Sequence, residues 1–146
     1  MFDFSDEFDE ICGKDITLRI TQKYNGDCEI LPFYYWDIYN GDIFIGKISL
    51  RIGHNFHSYY NGNIGYEIDA AYRGHGYAYI ACCMILKAAR AHNMDKIIIS
   101  CDESNIASYK TIEKLGAKLI EICNVPKDYF AWHEGMEKQR IYELKI

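Results

Sequence analysis

Seven consecutive residues, Tyr72-Arg73-Gly74-His75-Gly76-Tyr77-Ala78, combine types suited to holding an anion. Gly74 and Gly76 carry no side chain, so the backbone can turn tightly and approach a ligand closely. The stretch follows a strand-like segment and opens a helical one. Successive N–H groups then point outward at the positive end of a helix dipole, which suits phosphate or pyrophosphate. Arg73 adds a permanent charge, and Ala78 keeps the first helical turn slim. The spacing is not the GxGxxG of a dinucleotide site, which fails at Ala78-Tyr79, and no Gly-Lys-Ser/Thr follows to make a P-loop. By pattern alone the stretch is either an anion cradle or a glycine-rich turn.

The elements around it change grammar at mid-chain. The first half reads as strands: Asp15 to Thr21, the aromatic run Phe33 to Tyr39, and a segment in which Ile48, Leu50 and Ile52 alternate with Lys47, Ser49 and Arg51. Asn40-Gly41 between the last two is a hairpin signal. Asn61-Gly62 is a second turn signal and leads to a strand over Asn63–Asp69, with Ile64, Tyr66 and Ile68 on one face and Glu67 and Asp69 on the other. His75 to Asn93 has helical spacing, with Asn93 placed to cap it. Lys96–Asp102 is a short β-branched strand, Asn105–Leu115 a second helix closed by Gly116, and Ala117–Asn124 and Arg140–Ile146 are final strands. The fold class is therefore α/β of the α+β kind. We expect a mixed, mostly antiparallel sheet of six to seven strands with helices on both faces, and a parallel crossover from 63–69 to 96–102.

Length and composition narrow the function. The chain has 146 residues, 49% hydrophobic and 25% charged, which fits a single domain over 1–146 with a real core. A net charge of −5 argues against nucleic-acid and anionic-membrane partners. The first ten residues hold five acids and no base, unlike a secretory signal, and residues 1–12 read as an acidic arm, solvated or loosely docked. The longest apolar run, Tyr77 to Leu86, is ten residues, too short to span a bilayer. Six cysteines without CxxC spacing read as free thiols in a cytoplasmic compartment. No metal site is expected, His54-x-x-His57 reading as a loop.

The glycine stretch resembles the acyl-CoA signature of the GNAT superfamily of N-acetyltransferases, Arg/Gln-x-x-Gly-x-Gly/Ala, on Arg73, Gly76 and Ala78. The preceding GYEID and the following YAYIACCMILKAAR are similar to the same family. So is Asn105-Ile106-Ala107-Ser108 followed by Glu113-Lys114-Leu115-Gly116, which looks like its second CoA element. The likeness covers about residues 40 to 124 and is closest to the branch that includes ribosomal-protein N-terminal acetyltransferases. The short start leaves little room for the family's usual two N-terminal helices.

The resemblance implies acetyl-CoA as cosubstrate, held between splayed parallel strands at 63–69 and 96–102. Backbone at Ile68 would pair with the pantetheine arm, and its N–H would serve the oxyanion. The amides of Gly74, His75, Gly76, Tyr77 and Ala78 would hold the pyrophosphate beside Arg73. Asn105 would bond the pantetheine arm, act as a helix N-cap, or do both, and Ser108, one turn on, would touch the same arm. Glu67 is the candidate general base, or else an ordinary strand carboxylate, with Asp69 a weaker second. Many members carry a tyrosine acid seven residues after the Asn105 position, where this chain has Ile112. Tyr109, three residues back on roughly the same face, is the substitute candidate, or else a packed aromatic.

The implied activity is transfer of an acetyl group to a primary amine, on a small metabolite or on a peptide or protein N-terminus. The alternatives are a non-catalytic acyl-CoA sensor and a structural protein. A homodimer is implied by resemblance only. Tyr34, Tyr35, Trp36, Tyr59, Tyr60, Tyr129, Phe130, Trp132 and His133 either line the acceptor side or pack in the core. The segment 125–139 is a lid, a rim or a surface excursion.

Overall fold

The computed structural model describes all residues, Met1–Ile146. The chain runs β1 (Glu10–Cys12), β2 (Thr17–Tyr24), β3 (Phe33–Asn40), β4 (Ile43–Arg51), α1 (Phe56–Asn61), β5 (Ile64–Ile68), α2 (Tyr77–Ala91), β6 (Lys96–Asp102), α3 (Ile106–Lys114), β7 (Lys118–Cys123) and β8 (Gln139–Lys145). Eight strands form two sheets, ordered β1-β2-β3-β4-β5 and β6-β8-β7, and every pairing is antiparallel. The eighth strand, beyond the six or seven expected, is the short β1.

Alternation builds the large sheet. Tyr34, Trp36 and Ile38 on β3 and Ile48 and Leu50 on β4 are fully buried on one face. On that face lies α2, whose buried side is Ala81, Cys82, Ile85, Ala88 and Ala89. Small residues there let helix and sheet approach closely. Asn93 ends the helix in the left-handed conformation (φ 63°), a state a helix C-terminus needs and asparagine tolerates. The other face of the large sheet carries no helix. The link between β2 and β3, residues 25–32, is a loop. The small sheet has α3 on the side facing the core, and α1 packs on its opposite side, where the Ser100 hydroxyl donates to the Tyr60 carbonyl (2.7 Å).

Two expectations are corrected. Residues 1–12 are not a solvated arm. Phe8 and Ile11 are each 2% exposed and belong to the core, the Trp36 indole donates to the Phe8 carbonyl (2.7 Å), and Lys23 bridges Asp6 and Asp9. The acids hid two apolar anchors spaced to face inward. Asn61-Gly62 is not a turn between strands but the end of α1. Gly62 (φ 77°) is its C-cap, and an Asn55–Ser58 capping box starts it. The box was a readable signal, missed because FHSYYN is short and poor in helix formers.

Where the sheets meet, a single residue joins them. Asn63 is fully buried. Its backbone N–H donates to the Ile98 carbonyl, its side-chain oxygen accepts from the Ile98 N–H (2.8 Å), and its amide donates to the carbonyls of Arg51 (3.0 Å) and Gly53 (2.8 Å). No ladder continues between β5 and β6 beyond this point, so the strands part. Asn63→Leu keeps the branched shape and removes the side-chain partner of three backbone groups, the buried Ile98 N–H and the part-buried Arg51 and Gly53 carbonyls, at about 1–3 kcal/mol each where water does not replace it. Chemical denaturation of the variant is expected to show a loss of about 3 kcal/mol or more; a loss under about 1 kcal/mol would mean water replaces these bonds.

Candidate active site

The parted strands leave a cleft of about 520 Å³ running from β5 to the start of α2, with α3 as its other wall. Glu67, Ile68, Arg73, Gly74, Gly76, Tyr77, Ala78, Asn105 and Ser108 all line it, as does Tyr66. Two chain segments about forty residues apart, named separately from sequence, thus border one space.

The backbone donors are left free where the cleft needs them. Gly74 (φ 86°) and Gly76 (φ 74°) are left-handed, and Gly76 is the N-cap of α2 with no side-chain bond to the helix. The first amides of α2 therefore face outward without a capping partner. The other two α-helices are capped by Asn55 and Asn105. On β5 the bonding alternates. The Asp69 N–H reaches the Ile45 carbonyl on β4 (2.9 Å), so the Ile68 N–H, one residue earlier, is turned to the cleft side. The Ile68 carbonyl on that side accepts from Arg73 Nε (2.9 Å), which ties the glycine loop to the strand end. Gly46 on β4 permits this arrangement, because a Cβ there would run into the Glu67 carbonyl.

Along β5 the side chains divide as the period requires. Tyr66 and Ile68 face α2 and α3. Glu67 is exposed on the other face, opposite Lys47 on β4, and no ion pair within 4.0 Å occupies its carboxylate. Asn105 caps α3 by accepting from the Ser108 N–H (3.2 Å), and its amide nitrogen remains available to the cleft. The Ser108 hydroxyl meets the Tyr66 hydroxyl at 2.9 Å. Burial is the main cause pushing the Tyr66 phenol up, to about 12. Tyr66 was passed over in the sequence because its alternation read only as a packed strand residue.

Tyr109 does not line the cleft, and of His75, expected to serve through its backbone N–H, the side chain lies elsewhere. The Tyr109 ring packs under the Arg140 guanidinium at 4.1 Å and against the core. Ile112 lies on the Asn105–Ser108 stripe and is fully buried, whereas Tyr109, about 100° round the helix from Ser108, is carried to the Arg140 side. The His75 side chain lies in a separate hollow with Lys14, Asp15 and Asn40; between two left-handed glycines the chain reverses and carries the imidazole to the far side of the loop. Of the aromatic set, Tyr34 and Trp36 are core. His57, Tyr60, Tyr129 and Phe130 form an aromatic cluster pinning 125–139 to α1, with the Phe130 N–H donating to His57 Nδ1 (3.2 Å).

The profile of the acetyltransferase (GNAT) domain matches residues 9–118. The chain belongs to the GNAT family. A comparison with curated protein sequences returns no match. Among solved structures, this GNAT domain is similar to the microcin C7 self-immunity acetyltransferase MccE in complex with acetyl-CoA and AMP, at 21% identity and TM-score 0.61 over 78% of this chain and 61% of that one. It is also similar to an acetyltransferase from Salmonella typhimurium that modifies the N-terminal serine of ribosomal protein L7/L12 (18%, TM-score 0.59, 78% and 64%). A GNAT-family acetyltransferase from Bacillus anthracis is a third (21%, TM-score 0.60, 76% and 65%). The chain spans under two thirds of the length of each. At these identities the likeness is one of fold. No group of three or more His, Cys, Asp or Glu side chains is arranged to hold a metal, and no helix is long and apolar enough to cross a membrane.

Proposed function

We propose that the protein transfers an acetyl group from acetyl-CoA to a primary amine by direct attack on the thioester. The observation that carries this is the cleft between β5 and β6 ending on the uncapped glycine turn of α2. It offers an unpaired strand edge for an extended pantetheine arm and unpartnered amides at a helix start for a diphosphate. The complex of the similar protein MccE with acetyl-CoA and AMP supports the same assignment.

In this reading the cofactor supplies the activated acetyl group. The Ile68 N–H stabilises the oxyanion. Glu67, free on the opposite face, takes the amine proton, directly or through water. The acid side is the Tyr66–Ser108 pair, which donates a hydrogen bond to the departing thiolate; a phenol pushed up to about 12 keeps its proton against a thiolate of about 8.5, and solvent supplies the proton. A thiol near pKa 8.5 also leaves without help, so the acid is worth less than the base. Tyr66→Phe keeps the ring and removes the proton; it should lower kcat about tenfold with little change in CoA affinity. Wild-type kcat would remove Tyr66 from the chemistry.

The acceptor class is a primary amine on a small molecule or a peptide N-terminus. Calorimetry with CoA, followed by thiol release over an amine panel, tests the whole assignment. Binding with turnover supports it, binding without turnover for any amine leaves a CoA-sensing domain, and no binding ends both.

A further inference from the structure

Above Gly65, on the Glu67 face of the sheet, lies a half-buried cation with no anionic partner. Arg51, the last residue of β4, has no carboxylate within 4.0 Å. Glu29 borders the same small hollow but pairs with His57 (3.9 Å). Arg51 is held by neutral groups instead. Nη1 donates to the Gly62 carbonyl (3.1 Å). The Asn61 side-chain oxygen, oriented by its partners, accepts from Nε and Nη2, both at 3.3 Å. A guanidinium has five N–H groups, so two remain, one on each terminal nitrogen. Burial disfavours the charge, partly offset by the Tyr129 and Tyr35 phenols nearby.

Gly65 lies against the terminal nitrogens of the guanidinium. A Cβ on Gly65 would stand 3.6 Å from Nη2 and 3.7 Å from Nη1. Gly65 and Glu67 are alternate residues of β5 and project to the same face, about 7 Å apart along the strand. Lys47, Ser49 and Arg51 share that face on β4. No helix covers it. A fork of two parallel N–H groups matches a carboxylate.

We propose that Arg51 selects the acceptor, its two remaining N–H groups receiving a carboxylate that the acceptor carries about 7 Å from the amine served by Glu67. This rests on the acetyl-transfer reading. The matching chemistry is a peptide N-terminus with an acidic second residue, or a free ω-amino acid of about six carbons. Arg51 acts on binding and orientation and touches no reacting atom.

The test uses two acceptor pairs that differ only in the anion: Ser-Glu-Ala-Ala-amide against Ser-Gln-Ala-Ala-amide, and 6-aminohexanoate against hexylamine. Wild-type protein should favour the acidic member of at least one pair by about 10- to 100-fold in kcat/KM, mainly through KM, as expected for a charge-assisted bidentate bond. Which pair responds distinguishes peptide from small acceptor. Arg51→Met should bring the ratio close to one, with Arg51→Lys between. Gly65→Ala, which fills the approach while leaving the guanidinium in place, should reduce the ratio as well, and CoA affinity measured on each variant reports that the fold is intact. Turnover with equal use of both members of both pairs overturns the proposal alone, as does a preference that survives Arg51→Met. Failure to bind CoA overturns the acetyl-transfer reading and this proposal together.

Discussion

Gly76→Val should reduce CoA affinity by a factor on the order of 10² to 10⁴. The figure corresponds to losing about two charge-assisted bonds from backbone amides to a diphosphate. Nothing lies within 4 Å of a Cβ at this position, so the substitution crowds no protein atom. It acts in two other ways. A β-branched residue is strained at φ 74°, by about 1–3 kcal/mol, and its side chain stands where a phosphate must approach the α2 amides. Gly41→Val separates the two effects. Gly41 (φ 60°) is equally left-handed and equally open, but it sits in the β3–β4 hairpin away from the cleft. Both variants should lose stability in thermal melts, and only Gly76→Val should lose CoA in calorimetry. Equal CoA affinity in wild type and Gly76→Val would remove the glycine turn from the binding site.

Glu67→Gln should lower kcat/KM about 100-fold at pH 7 if Glu67 is the base, and the deficit should shrink as pH rises. The sign follows from the acceptor. Below its own pKa the amine is protonated and cannot attack. For an α-amine near pKa 8 about 1 molecule in 10 is neutral at pH 7, and for a lysine-like amine near 10.4 roughly 1 in 2,500. As pH approaches the amine's pKa, solvent removes the proton and the carboxylate loses its advantage. The two rate profiles should converge near pH 8–9 for the first acceptor type and above about 10 for the second, which makes the variant a gauge of acceptor class as well. A deficit constant over that range would assign Glu67 a binding role in place of proton removal.

The consequences for the remaining candidates follow from which side of an element each residue occupies. Asn105 and Ser108 lie on the cleft face of α3, whereas Tyr109, one residue on, is rotated by about 100°. That rotation takes it to Arg140. On β5 the same logic in period two sends Tyr66 to the cleft wall and Glu67 to the opposite face. Of these two tyrosines, Tyr66 on the strand lines the cleft and Tyr109 on the helix does not.

By itself the sequence determined the local elements and the two CoA-type segments. The alternation of Ile48, Leu50 and Ile52, the Asn40-Gly41 turn, the helix from the glycine stretch to Asn93 and the strand at 96–102 are encoded by neighbours in the chain, where period and turn chemistry act directly. The start of the chain, with its five acids, and α1, with its weak helix formers, were misread because partners distant in sequence stabilise them: Trp36 and Lys23 in the first case, the small sheet in the second. Only the tertiary structure decided that Tyr109 and the His75 imidazole stand outside the cleft, that Tyr66 stands within it, and that Arg51 faces the Glu67 side without an anion. Each of these depends on how a helix is rotated, how a loop reverses, or which groups from other strands arrive nearby. Asn63 shows the same limit most sharply. It reads as a turn residue, yet two hydrogen bonds to Ile98 on β6 and two to the carbonyls of Arg51 and Gly53 hold the sheets together at one point and let them part beyond it.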